Sequence, residues 1–134
     1  MIPLEQEGVP MKTVLTGMCN SLMEESIRHA LQKDNGFSVV PVKGSMADAG
    51  SGADADIVLL EVACNPGFSV DEQLRQVRLL RSRNPRCRIL LICDENSTPE
   101  LARKVAIAKK DGLIDDFLYS SVSESYLTAM LYAI

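Results

Sequence analysis

The order of apolar and helix-period segments predicts a single α/β domain, in which a parallel five-stranded sheet is covered by helices on both faces. Three observations carry this. Five apolar runs, mostly continuous rather than alternating, have the pattern of strands buried on both faces. Segments with helical apolar spacing separate them, each opened by recognisable punctuation. The 134 residues, 46% hydrophobic and 24% charged, are enough to bury one sizeable core.

Met1 to Pro10 holds two prolines and several acidic or amide side chains without periodicity, so it reads as a flexible leader ahead of a domain spanning residues 11 to 134. The expected strands are Lys12 to Met18, Phe37 to Val42, Asp56 to Val62, Cys87 to Cys93 and Leu113 to Tyr119. Ser21 with Glu24, Ser69 with Glu72, Ser97 with Glu100 and Ser121 with Glu124 all fit the S-x-x-E capping box and predict helix starts. The first helix should close at Asn35-Gly36 and the helix after strand four at Asp111-Gly112, where glycine supplies a positive φ. The helix after strand three should stop before Asn84-Pro85. Buried stripes are expected from Leu22, Ile27, Ala30 and Leu31, from Val70, Leu74, Val77 and Leu80, and from Leu101, Val105 and Ala108. Lys43 to Ala55, rich in Gly, Ala, Ser and Asp, predicts a short or frayed helix. The final helix, Ser123 to Ile134, carries Tyr126, Leu127, Met130, Leu131 and Ile134 on overlapping apolar faces and ends abruptly, as expected of a domain from a longer protein or of a surface awaiting a partner.

Composition narrows the function. No apolar run reaches the roughly 18 to 20 residues of a membrane span, and the N-terminus lacks a secretory pattern, so a cytoplasmic protein is expected. Cys19, Cys64, Cys87 and Cys93 form no C-x-x-C pair and should be free thiols in a reducing compartment. A net charge of −4 gives no overall attraction to nucleic acid. His29, the single histidine, falls mid-helix and reads as a partly exposed helix residue. No G-x-G-x-x-G or phosphate-binding loop occurs, and no cofactor is expected.

In such a sheet, ligands bind outside the carboxyl ends of the strands. The loops concerned hold Gly17 to Asn20, Glu61 to Pro66, Cys93 to Asn96 and Tyr119 to Ser121. Here the run from Asp56 to Val62 resembles the third strand of response-regulator receiver domains, and Asp115-Asp116-Phe117-Leu118 is similar to the acidic-aromatic start of their fifth. The resemblance covers the chain from about Met11 onward. It implies a flavodoxin-like (βα)5 three-layer sandwich with strand order 2-1-3-4-5. It also implies a family site built from an acidic pair for Mg2+, a phosphoacceptor aspartate, a Ser or Thr, and a lysine followed by proline.

Every position of that set departs. The acidic pair falls on Gly17 and Met18, which give a hard cation no carboxylate. The phosphoacceptor position falls on Glu61, one methylene longer than in-line transfer geometry allows. The hydroxyl position falls on Cys93, a weaker donor. The lysine and proline fall on Ser120 and Ser121, so the cation that would neutralise a phosphoryl group is missing. The switch aromatic corresponds to Phe117. Two readings of Glu61 stay open: a carboxylate mimicking phosphate charge, or a polar strand-end residue facing solvent.

The expected function is a non-enzymatic, phosphorylation-independent receiver acting as a signalling and protein-interaction module, with no membrane and no direct nucleic-acid contact. Two alternatives are a thiol or metal sensor built from Cys19, Cys64 and Cys93, and a phosphocysteine carrier of a sugar phosphotransferase system using Cys19. The second is opposed by Glu24 and Glu25 at the helix N-terminus, which repel phosphate. Arg75, Arg78, Arg81, Arg83, Arg86 and Arg88 read as a solvated face balanced by Asp71 and Glu72, or as a dock for an anionic partner. Arg103, Lys104, Asp115, Asp116, Tyr126 and Met130 are candidates for a homodimer interface through the helix after strand four, strand five and the final helix.

Overall fold

The computed structural model describes residues 11–33, 36–42, 55–63, 65–94 and 98–134. Its elements are β1 (Lys12–Gly17), α1 (Ser21–Gln32), β2 (Phe37–Pro41), β3 (Ile57–Val62), a 3-10 turn (Pro66–Phe68), α2 (Val70–Arg83), β4 (Arg88–Cys93), α3 (Pro99–Lys110), β5 (Asp116–Tyr119) and α4 (Glu124–Ala133). The strands form one parallel sheet in the order β2-β1-β3-β4-β5, as the sequence predicts. The expected leader, and all of Lys43 to Ala55 except the buried Ala55, lie outside the described residues.

Side-chain alternation along the two central strands feeds two cores. Val58, Leu60, Val62, Ile89, Leu91 and Cys93 point toward α2 and α3, where they meet Val70, Val77, Leu80, Val105 and Ala108. Ile57, Leu59, Leu90 and Ile92 point toward α1 and α4, against Ile27, Leu31, Leu127 and Leu131. This is why β3 and β4 read as continuous apolar runs rather than alternating ones. Each fully buried Leu or Ile contributes about 1.5 to 3 kcal/mol of hydrophobic stabilisation. Among the described residues, no helix is long and apolar enough to cross a membrane.

Several expected boundaries shift, for local physical reasons. Asn20, not Ser21, caps α1: its side chain accepts from the amides of Leu22 and Met23, and its extended backbone leaves Ser21 as the first helical residue. That register turns Leu22 out to solvent, 77% exposed, and gives its place in the core stripe to Met23, which packs with Ile27 and Leu31. Ser69 caps α2 as predicted. Thr98 caps α3, because Pro99 at the first helical position favours an extended residue before it. Ser123, rather than Ser121, caps α4, since Ser120 to Val122 are used in the turn that leaves β5. The fifth strand starts three residues later than expected, after a turn in which Gly112 has φ 77°. Gly36 is needed for a different reason than the predicted positive φ. A Cβ there would collide with the Tyr132 phenol, which packs on Phe37 with ring centroids 4.7 Å apart.

Candidate functional site at the carboxyl rim of the sheet

The first, third, fourth and fifth strands end on a common rim, and Glu61 is its most constrained side chain. It lies in β3 opposite Ile92 of β4 and is only 9% exposed. Its Oε1 accepts from the backbone amides of Cys19, at 2.9 Å, and Asn20, at 3.0 Å. Those amides lead into α1, so a carboxylate sits at the positive end of a helix. The Glu61 carbonyl accepts from Gln73 Nε2 at 2.6 Å, which ties β3 to α2. The reading of Glu61 as a solvent-facing strand-end residue is therefore corrected: the carboxylate is folded inward and bonded. Among the described residues no cation pairs with it.

The other rim positions scatter. Gly17 ends β1 and Met18 packs into the core beneath α1 and α4. Cys93 is fully buried on the α2 and α3 side, with its thiol directed at the Leu118 carbonyl 3.7 Å away. Burial pushes its pKa up, and the negative charge of Asp94 pushes in the same direction. Ser120 and Ser121 are exposed in the turn after β5, the Ser120 amide donating to the Cys93 carbonyl. Phe117 is half-buried against the α2 and α3 core, with Lys109 Nζ 5.8 Å from its ring centroid.

Cys19 is exposed and accepts from Asn65 Nδ2 at 3.1 Å. The thiol sensor needs Cys19 and Cys93 on one rim, but one faces solvent and the other lies in the core. Cys64 lies outside the described residues. Cys19, Cys87 and Cys93 are free thiols, and no group of three or more His, Cys, Asp or Glu that could hold a metal ion occurs among the described residues.

The proposed interface acids are engaged within the chain. Asp115 accepts from Arg81 at 2.8 Å, Arg88 at 3.3 Å and the Ile89 amide at 2.7 Å. Asp116 pairs with Lys109 at 2.9 Å. Outside that set, Glu124 at the start of α4 pairs with Lys33 at 3.4 Å. Lys104 reaches Asp71 at 3.9 Å, Arg103 is exposed, Tyr126 is 54% exposed, and Met130 packs against the core. The expected balance of the arginines by Asp71 and Glu72 holds for Arg75, which pairs with Glu72, whereas Arg81 and Arg88 turn to Asp115 instead. Sequence reasoning missed Gln73, 4% exposed; its signal was an amide between Val70 and Val77 in an otherwise apolar stripe.

No protein-family profile and no curated protein matches the chain by sequence. Solved structures do match by shape. A CheY-like protein (tadZ) from Pseudomonas aeruginosa PAO1 superposes with a TM-score of 0.70 at 18% identity, over 91% of this chain and 98% of that one. The chemotaxis protein CheY4 of Vibrio cholerae gives 0.69 at 20% identity, over 92% and 98%. A response regulator from Thermotoga maritima gives 0.68 at 18% identity, over 92% and 96%. With the strand order and the two helical layers above, these likenesses establish that the chain has the flavodoxin-like fold of CheY-like response-regulator receiver domains.

Proposed function

We propose that this chain is a degenerate receiver that works as a phosphorylation-independent, non-enzymatic signalling and protein-interaction module. The observation that carries the reading is the inward-folded Glu61, the residue to which the resemblance assigns the phosphoacceptor position, whose carboxylate takes up the amides of Cys19 and Asn20 leading into α1. A carboxylate already bonded at a helix N-terminus is a poor nucleophile toward a phosphoryl donor, because attack first requires breaking both bonds. Gly17 and Met18 offer no oxygen ligands for Mg2+, and Ser120 brings no ammonium to a developing phosphoryl charge. Fold and charge suit a cytoplasmic module acting on a partner protein or an output domain rather than on nucleic acid. Self-association through α3, β5 and α4 would rest on exposed groups such as Arg103, Ile107 and Tyr126, since Asp115 and Asp116 are engaged internally.

The test is incubation with acetyl phosphate and Mg2+, followed by intact mass measurement. The expected outcome is no phosphoryl adduct on the wild-type chain, and none on Glu61→Asp, because the metal ligands and lysine are still missing. A stable adduct that maps to the wild-type domain refutes the proposal.

A further inference from the structure

At the opposite end of the strands, a pocket of about 230 Å3 opens between the C-terminal half of α2 and the turn after α3. Its apolar surface comes from Leu74, Val77 and Leu113, the last 39% exposed, and two guanidiniums, Arg78 and Arg81, flank it. Arg78 is exposed and makes no ion pair among the described residues. Arg81 spends its terminal nitrogen on Asp115, while its Nε is buried without a hydrogen-bond partner. Arg86, in the turn after α2, and Lys110, at the end of α3, add exposed cations that are likewise unpaired among the described residues. The carboxylates near this end among the described residues are Asp56, which accepts from the Thr13 amide, Asp111, at the C-terminal cap of α3, and Asp115, held between Arg81 and Arg88.

We infer that this pocket is a docking site for an acidic segment of a partner protein, with one apolar side chain seated against Leu74, Val77 and Leu113 and flanking carboxylates on Arg78 and its neighbours. Arginine clusters recognise acidic motifs through their forked donors. The space matches a single side chain of Leu or Phe size, and a buried anchor inside a charged rim is the usual layout of a small binding hot spot. A nucleic acid fits less well: no aromatic side chain lines the pocket for base stacking, and the chain as a whole carries a net charge of −4. The surface is remote from Glu61, so this inference stands whether or not the rim is phosphorylated.

A short acidic peptide with one central leucine, titrated into the isotope-labelled full chain, tests it. Chemical-shift changes should centre on Leu74, Arg78, Gly112 and Leu113. Arg78→Glu and Leu113→Ser, both at exposed positions, should each weaken binding by about tenfold while the remaining spectrum stays unchanged. A peptide with glutamines for its acids, or serine for its leucine, should weaken to the same extent. Absence of binding, shifts centred elsewhere, or undiminished binding by Arg78→Glu overturns the inference. So does tighter binding at the same residues by heparin or by vesicles of anionic lipid, which would make the patch a reader of polyanions.

Discussion

The two rims of the sheet each hold a carboxylate in opposite ways. At the carboxyl rim, Glu61 is held by two backbone amides, with no cation partner among the described residues. At the amino rim, Asp115 is gripped by two arginines and an amide, close to Asp56, which accepts from the Thr13 amide at 2.8 Å, and Asn84, which donates to the Ala55 carbonyl at 2.8 Å. Ligand chemistry in this fold belongs at the carboxyl rim. Here the Glu61 carboxylate turns onto the chain's own amides at that rim, while the amino rim carries the exposed cations Arg78, Arg86 and Lys110. The difference teaches that one sheet can anchor an acid with backbone dipoles at one end and with side-chain cations at the other.

The comparison can be broken by substitution. Asp115→Ala should have the largest effect, about 3 kcal/mol of stability lost in urea denaturation, because it leaves Arg81 partly buried without its counter-charge and frees the Ile89 amide. Glu61→Gln should cost about 1 kcal/mol, since an amide oxygen can still accept but without charge assistance. Hydrogen exchange at the Cys19 and Asn20 amides should rise in that variant. If Glu61→Gln costs as much as Asp115→Ala, the contrast between an amide-held and a cation-held carboxylate fails.

The thiols give a smaller effect. Burial raises the pKa of Cys87 and Cys93, so their contribution to stability is complete below the ordinary thiol pKa of about 8.5 and is lost as pH rises through the folded values. Denaturation midpoints should therefore fall on the alkaline side of that pKa, and peptide mapping after brief alkylation near neutral pH should find Cys19 labelled well before either. The smallest effect belongs to the exposed pair of Glu72 and Arg75. The Arg75 hydrogen bond lowers the Glu72 pKa, so the pair stabilises above the ordinary carboxylate range and that contribution disappears as acid titrates the folded group. Glu72→Gln should leave the neutral-pH melting temperature almost unchanged.

Much of the fold was legible because it rests on local periodicity. Continuous apolar runs at β3 and β4, Ser69 before α2, Asn84-Pro85 after it and Gly112 after α3 all do what their residue types favour. Capping was less legible, because Asn20, Thr98 and Ser123 each stand within two residues of a serine that also fits the motif, and which one caps depends on how the preceding loop is used. At the site, the residue types at Gly17, Met18, Ser120 and Ser121 were readable directly. The destination of the Glu61 carboxylate was not, since its partners lie 41 and 42 residues away.

The sequence by itself determined the alternation of strands and helices and the two-faced burial of the central strands, because these follow from residue chemistry and short-range spacing. Only the tertiary structure decided that Glu61 turns onto the start of α1, that Asp115 binds Arg81 and Arg88, and that arginines of α2 frame an apolar pocket with Leu113. Such pairings are fixed by strand register and helix packing, which bring distant residues within hydrogen-bond reach and leave no periodic trace in the chain.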